Sequence, residues 1–230
     1  KNSKKKTINI HIQNPKISLK NFDFVIIPDH DGISGANVLN TKGAIHYLTN
    51  KEINDSKDYL LNKIEKNKDV ITLVLGGPTK DYNYSNNNML DIFSKINKRL
   101  KEYNLQLVII PSNRTPKKTI QLAKEFFSEG CIVIDKVDKS AYLSSLALAK
   151  YIIVTCDSTS MISEAALTGK PLYVAMIPPL RNDTRFEKFR NLFERLNIIK
   201  KLEDKLETWN YEKLNEADRI ASEIKKKINQ

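Results

Sequence analysis

Residues 151–177 read YIIVTCDSTSMISEAALTGKPLYVAMI. An apolar, β-branched run over 151–155 gives way to a cluster of hydroxyls, then to helical spacing over 159–167, and then, past Gly169 and Pro171, to a second apolar run over 172–177. Two short apolar runs joined by a helix-length stretch describe a strand, a crossover helix and a second strand parallel to the first. Ser158 or Thr159 can cap the free amides at the helix start, and Gly169 ahead of Pro171 is the usual C-terminal stop. The same unit repeats outward. Strands are expected in DVITLVLGGP (69–78) and over 105–110 and 131–134, with helices over 87–103, 116–128, 140–150 and 185–196. Five apolar runs separated by amphipathic helices predict an α/β domain on a parallel, doubly wound sheet covered on both faces, because parallel strands need crossovers and these are right-handed.

Upstream the pattern is thinner. Residues 7–12 alternate polar and apolar, 23–27 form a run ended by Pro28, 44–48 are a third strand candidate, and 51–66 read as a helix with Ile53, Leu60, Leu61 and Ile64 on one face. The expected division is a partial N-terminal α/β domain over 1–66, a Rossmann-like domain over 67–208, and a helix over 209–230. That helix carries Leu214, Ala217, Ile220, Ala221 and Ile224 on one side and is expected to lean back across the first domain. The chain lacks an initiator Met and begins almost inside its first strand, which reads as a truncated first domain.

With 40% hydrophobic and 28% charged residues in 230, the composition is that of a globular protein, and no stretch is apolar and long enough to span a bilayer. The basic start over 1–6 is followed by a run too short and polar for a signal peptide, so the expected location is the cytoplasm. Cys131 and Cys156 read as buried, reduced thiols, and three histidines without paired cysteines supply no zinc site. The net charge of +11 raises the question of nucleic acid. The lysines, however, are interleaved with Glu, Asp and Asn along helix faces and no nucleic-acid module is present, so nucleic acid is not the expected partner. An anionic lipid or membrane surface stays open.

Ligands of doubly wound sheets bind beyond the carboxyl ends of the strands, which selects four segments. Gly76 and Gly77 end a strand; they allow a ligand close to the backbone, with amides aimed at an anion, or they serve only a turn. The segment is neither a P-loop nor a dinucleotide fingerprint. Ser112, Asn113, Arg114 and Thr115 precede a helix opening at Pro116. Arg114 can clamp phosphate there, or Thr115 caps the helix with Pro116 first inside it and Arg114 in solvent. Asp157, Ser158, Thr159 and Ser160 crowd one helix start, and Glu164 falls one turn above Ser160, an arrangement suited to a diphosphate and a ribose. Pro178 and Pro179 follow the last strand. In the first domain, PDHDGISGANVLNTKG (28–43) offers Asp29, His30 and Asp31, either a general base near neutral pH or an exposed polar loop.

The segments IIPDHDGISGANVLNTKGAIHYLT, LVLGGPTKDY, SNRTP, CDSTSMISEAALTGKPLYV, RFEKFRNLF and WNYEKLNEADRIASEI resemble, in the same order, those of the mitochondrial-fission ELM family. The resemblance runs from about residue 8 to near the C-terminus and implies the GT-B architecture of nucleotide-sugar glycosyltransferases, two Rossmann-like domains facing across a cleft. Family chains usually begin further upstream with a Gly-rich opening. Carried over, Gly76, Gly77, Ser112, Arg114, Ser158, Thr159, Ser160 and Glu164 would line the donor side, and Asp29, His30, Asp31, Ser34, Gly35 and Asn37 the acceptor side. The family often has an arginine where Asn113 stands.

The implied activity is metal-independent transfer of a sugar from a nucleoside-diphosphate sugar, the substrate, to a cell-envelope or lipid-linked acceptor, with no further cofactor. Arg114 and helix-start amides would hold the departing diphosphate, and His30 or Asp31 would take the acceptor proton. The rival is a non-catalytic binding or recruiting protein at a membrane surface, the plant members being described as recruiting a dynamin-related protein to mitochondria; the expected location is cytoplasmic or peripheral at the inner face of the membrane. A nucleotide-sugar epimerase is a third reading.

Overall fold

The computed structural model describes residues 7–127, 130–203 and 205–229; the basic start over 1–6, Ser128, Glu129, Asp204 and Gln230 lie outside the described residues. Strands β1 (Ile10–Ile12), β2 (Phe24–Pro28) and β3 (Val38–Thr41) form a three-stranded parallel sheet in that order. The third strand is not the 44–48 run but lies inside the stretch that reads as a loop. Asn37 and Asn40, whose residue type signals turns, here bond backbone instead. Asn37 Nδ2 donates to the carbonyls of Leu19 and Phe22, each at 2.8 Å, and Asn40 Nδ2 to those of Ile27 and Ile33.

The expected helix over 51–66 is two pieces, α1 (Asn50–Asp55) and α2 (Asp58–Leu61). Ser56 separates them, its hydroxyl donating back to the Glu52 carbonyl at 2.8 Å, a bond that bends helices. These residues, assigned by the expected division to the first domain, pack on the second sheet's side. Leu60 clusters with Val70, Val108, Ile110 and Ala141, and its amide donates to Ser144 Oγ.

Next come β4 (Asp69–Leu75), α3 (Asn86–Glu102), β5 (Leu105–Pro111), α4 (Lys117–Phe126), β6 (Ile132–Val133), α5 (Lys139–Leu148), β7 (Ala149–Thr155), α6 (Thr159–Ala166), β8 (Leu172–Ala175), α7 (Thr184–Arg195) and β9 (Ile199–Lys201). The six strands are all parallel, in the order β6-β5-β4-β7-β8-β9. Numbered within the sheet, that is 3-2-1-4-5-6, the order of a Rossmann fold, with its switch point between β4 and β7. The β-branched runs explain why. Ile71, Leu73, Leu75, Ile152, Ile153 and Val154 are wholly buried, and only a sheet covered on both faces buries consecutive residues. On α3, Met89, Ile92, Phe93 and Ile96 turn one stripe to this core, while Ser85 caps the helix by accepting from the Asn88 amide. Strand β9 carries no sequence signal beyond Ile198 and Ile199; Asn197, in left-handed backbone, turns the chain into it.

Helix α8 (Glu216–Ile228) lays Ile220 and Ile224 against Ile26 and Leu39 of the first sheet. The exit of β3 is fixed to the same elements. The Lys42 amide donates to Glu216 Oε2 at 2.7 Å and the Ala44 amide to Ser163 Oγ of α6 at 2.9 Å. Gly43 lies between them, where a Cβ would stand 2.6 Å from Ser163 Oγ and 3.0 Å from both Leu214 and Phe193. Gly43→Val is therefore expected to lower stability by about 1–3 kcal/mol through overpacking, read as a fall in the urea midpoint. An unchanged midpoint would show that the contact yields without cost.

Candidate functional site

The residues beyond β4, β5 and β7 converge at the switch point, on Asp157. Its buried carboxylate accepts from the Gly77 amide at 3.0 Å, from Arg114 Nη2 at 2.9 Å and from Tyr84 Oη at 2.6 Å. Arg114 Nη1 also donates to the Gly77 carbonyl at 2.9 Å, and the Gly76 amide donates to Thr155 Oγ1 at 2.8 Å. Ser112 and Thr115 close the network by donating their hydroxyls to the Gly76 carbonyl. Burial, followed by the charge of Asp157, raises the Tyr84 phenol far above its ordinary range, so it stays a donor at every working pH.

This network changes the account of the glycines. Both amides already have acceptors inside the protein. A Cβ on Gly76 would sit 2.1 Å from Asp157 Oδ2, and one on Gly77 would sit 2.1 Å from the Arg114 carbonyl. Glycine is required here for loop packing, not to admit a ligand to the backbone. Thr115 is a strut between loops and not a helix cap: α4 begins at Lys117 with Pro116 as its N-cap residue.

Ser158 does cap α6, its hydroxyl accepting from the Met161 amide, which leaves Thr159 and Ser160 at the helix mouth. They line a cleft of about 810 Å³ whose opposite wall carries His30 and Asp31, and whose rim includes Lys16, Lys80, Arg185 and Lys188. Thus Thr159, Ser160, His30 and Asp31 line one space. Gly76, Gly77, Ser112 and Arg114 do not line it. Glu164, half-buried one turn along α6, accepts from Tyr142 Oη at 2.8 Å through one carboxylate oxygen; burial raises its pKa, with Tyr142 and His46 opposing. On the first sheet's side, Asp29 opens toward a neighbouring hollow with Lys188 and Asn191, Ser34 is exposed, Gly35 packs near Val38 and Leu19, and Asn37 is engaged by backbone.

The cleft's chemistry is dominated by cations. Asp31, its one carboxylate, is held by Arg185 Nε at 2.5 Å, so Lys16, Lys80 and Lys188 face the space without a carboxylate on its lining. Lys80 sits on a tight turn in which Thr79 Oγ1 accepts from the amides of Asp81 and Tyr82. That turn is clamped to the loop after β8: Arg181 Nε bonds Asp81 at 2.6 Å, and Arg190 bonds both Tyr82 Oη and Asp183. His30 forms part of a 3-10 turn, edge-on to Phe189 at 5.3 Å, its side chain 1% exposed. Neither ring nitrogen has a hydrogen bond, and Nε2 is 3.8 Å from Asp31 Oδ1. Burial lowers its pKa, Asp31 opposes this and Arg185 adds to it, so the imidazole is neutral at physiological pH. Among the described residues, no three His, Cys, Asp or Glu side chains gather as a metal-ligating group, and no helix is long and apolar enough to cross a membrane.

The four cations were not among the expected site residues. For Arg185 and Lys188 a signal exists, since three-residue spacing puts both on one face of a helix start. For Lys16 it lies in applying the strand-end rule to β1 as well.

Comparison with known proteins adds the following. The family model described as Mitochondrial fission ELM1 matches residues 1–228. An uncharacterized protein, RP120, of Rickettsia prowazekii is 31% identical over 69% of this chain and 46% of its own length. Mitochondrial fission protein ELM1 of Arabidopsis thaliana is 23% identical over 95% of this chain and 57% of its own length. The chain thus spans about half the length of these relatives. Among solved structures, UDP-GlcNAc 2-epimerase from Neisseria meningitidis, with UDP-GlcNAc bound, superposes with a TM-score of 0.51 at 16% identity, covering 90% of this chain and 62% of that one. That likeness is one of fold: parallel Rossmann-like sheets in the GT-B-like arrangement.

Proposed function

This chain belongs to the mitochondrial fission ELM1 family, and on that premise we propose that its cleft binds the diphosphate of a nucleoside-diphosphate sugar and transfers the sugar to a cell-envelope or lipid-linked acceptor. The observation that carries the reading is the charge of the cleft. Lys16, Lys80, Arg185 and Lys188 and the N-terminus of α6 surround a space holding one carboxylate, already paired with Arg185. Such a set of fixed donors suits a diphosphate and stabilises it further as it departs with developing negative charge, with no metal demanded. His30 is neutral, its ring nitrogens buried at the cleft wall without a protein partner, and in this reading it takes the acceptor proton once substrate entry exposes the ring, while Asp31, bound to Arg185, orients that cation. Asp157 and Arg114 tie together the loops after β4, β5 and β7, behind the cleft residues Lys80, Thr159 and Ser160. The bound UDP-GlcNAc of the fold neighbour is in keeping with this substrate class.

The test is thermal unfolding with UDP, CDP, GDP and ADP and their sugars. A matching nucleotide at 100 times its Kd is expected to add about 2.7 kcal/mol, a rise of about 5–10 °C. Lys80→Ala is expected to weaken that nucleotide about 10- to 100-fold, the worth of a charge-assisted hydrogen bond. No shift with any of the four would overturn the reading.

The name of the Arabidopsis relative and the chain's net charge of +11 favour a second reading, recruitment at a membrane surface without catalysis. Flotation with anionic vesicles, in the absence of any nucleotide binding, would select it.

A further inference from the structure

Between β3 and α1 the chain runs past α6, fixed by the bond from the Ala44 amide to Ser163 Oγ. Four residues on, Leu48 enters the core, and His46 turns its Nδ1 inward, where it has no hydrogen-bond partner. Tyr47, between them, projects outward with 73% exposure, the highest among the exposed large hydrophobic side chains. Its ring is not adrift. Lys139 Nζ, at the N-terminus of α5, lies 4.9 Å from the ring centroid and is itself steadied by Glu52 Oε1 at 3.4 Å. One turn along α5 from Lys139, Tyr142 donates to one oxygen of Glu164 and leaves the other without a hydrogen bond. The order of groups is thus a helix mouth at Thr159 and Ser160, a half-bonded carboxylate one turn along, and an outward aromatic ring beside a cation.

We propose that Tyr47 is the platform on which the base of a nucleoside diphosphate stacks, with the open oxygen of Glu164 accepting from the ribose hydroxyls and the phosphates reaching the start of α6. The sequence of groups matches the sequence of parts in that ligand: flat base, diol, anion. A base stacked on the exposed ring gains apolar contact and, beside Lys139, a cation near its carbonyl oxygens. The proposal rests on the cleft reading above, since it places the rest of the same ligand.

Calorimetric titration of the 230-residue chain separates the two. The titrants are whichever of UDP, CDP, GDP and ADP binds tightest, and inorganic pyrophosphate. Tyr47→Ala is expected to weaken the nucleotide about 5- to 100-fold, the range of base–aromatic stacking, while pyrophosphate affinity is unchanged and Tyr47→Phe retains nucleotide affinity within about 2-fold. If Tyr47→Ala binds the nucleotide as tightly as the parent, the platform is overturned and the cleft reading stands. If the parent binds pyrophosphate but discriminates no nucleotide from it, the platform is likewise overturned. If the parent binds neither, both fall together.

Discussion

An Asp157→Ala chain is expected to be less stable than its parent by about 2–5 kcal/mol, with an unfolding midpoint lower by about 5–15 °C. The cause is local. The substitution leaves the Gly77 amide without its acceptor in a buried loop, removes one of two acceptors from Tyr84, and frees a cation whose side chain is only 41% exposed. Each stranded buried donor costs about 1–3 kcal/mol, and the Arg114 contribution is smaller because solvent screens it. Asp157→Asn, which keeps an acceptor for Gly77, is expected to recover about half the loss. A drop below 1 kcal/mol for alanine would mean that the loops after β4, β5 and β7 are held by other contacts.

The second large effect concerns His30. In the proposed transfer, His30→Ala is expected to slow turnover about 10²- to 10⁴-fold while nucleoside-diphosphate affinity stays within about 2-fold, since the role proposed for the neutral ring is proton transfer and the diphosphate is held by the cations. Measuring turnover and nucleotide affinity on one preparation distinguishes this from a folding defect. The same residue makes stability depend on pH, with a sign fixed by burial. Its folded pKa lies below the ordinary 6.5, so the unfolded chain takes up the proton first. The stabilisation from holding the ring neutral is complete above pH 6.5 and declines as pH falls below it, toward the folded value. His30→Gln is expected to flatten that decline between pH 7 and pH 5 in a series of unfolding midpoints. A parent and variant with parallel curves would place the titration elsewhere.

Much of the six-stranded half was legible because its signals are local. Ser158 caps α6 and Gly169 stops the chain beyond it in left-handed backbone. The β-branched runs say parallel sheet before any coordinate is known. The first sheet was less legible, and the reason lies in two side chains. Asn37 and Asn40 mimic loop composition, yet their amides bond carbonyls up to 18 residues away and let β3 form. At the site, residue type alone does not say where a donor points. Gly76 and Gly77 end a strand in either reading, and only the position of Asp157 shows that their amides turn inward. The cations are the reverse case. Lys80 is one lysine among many in the sequence, and becomes distinctive only because the Asp81–Arg181 and Tyr82–Asp183–Arg190 bonds fix the turn that presents it.

The close approach at Gly43 decides how the molecule can breathe. With the backbone on one side of that glycine bonded to α8 and on the other to α6, this line joins the two halves, and a swing about it is the movement those bonds would oppose least, like covers about a spine. Such a swing would carry Lys16 and Asp31 toward or away from Lys80 and Ser160, which line the same cleft. Access to the cleft would then be set at the far rim, and a bulky side chain at the pivot would prop the covers ajar without replacing any residue of the cleft lining.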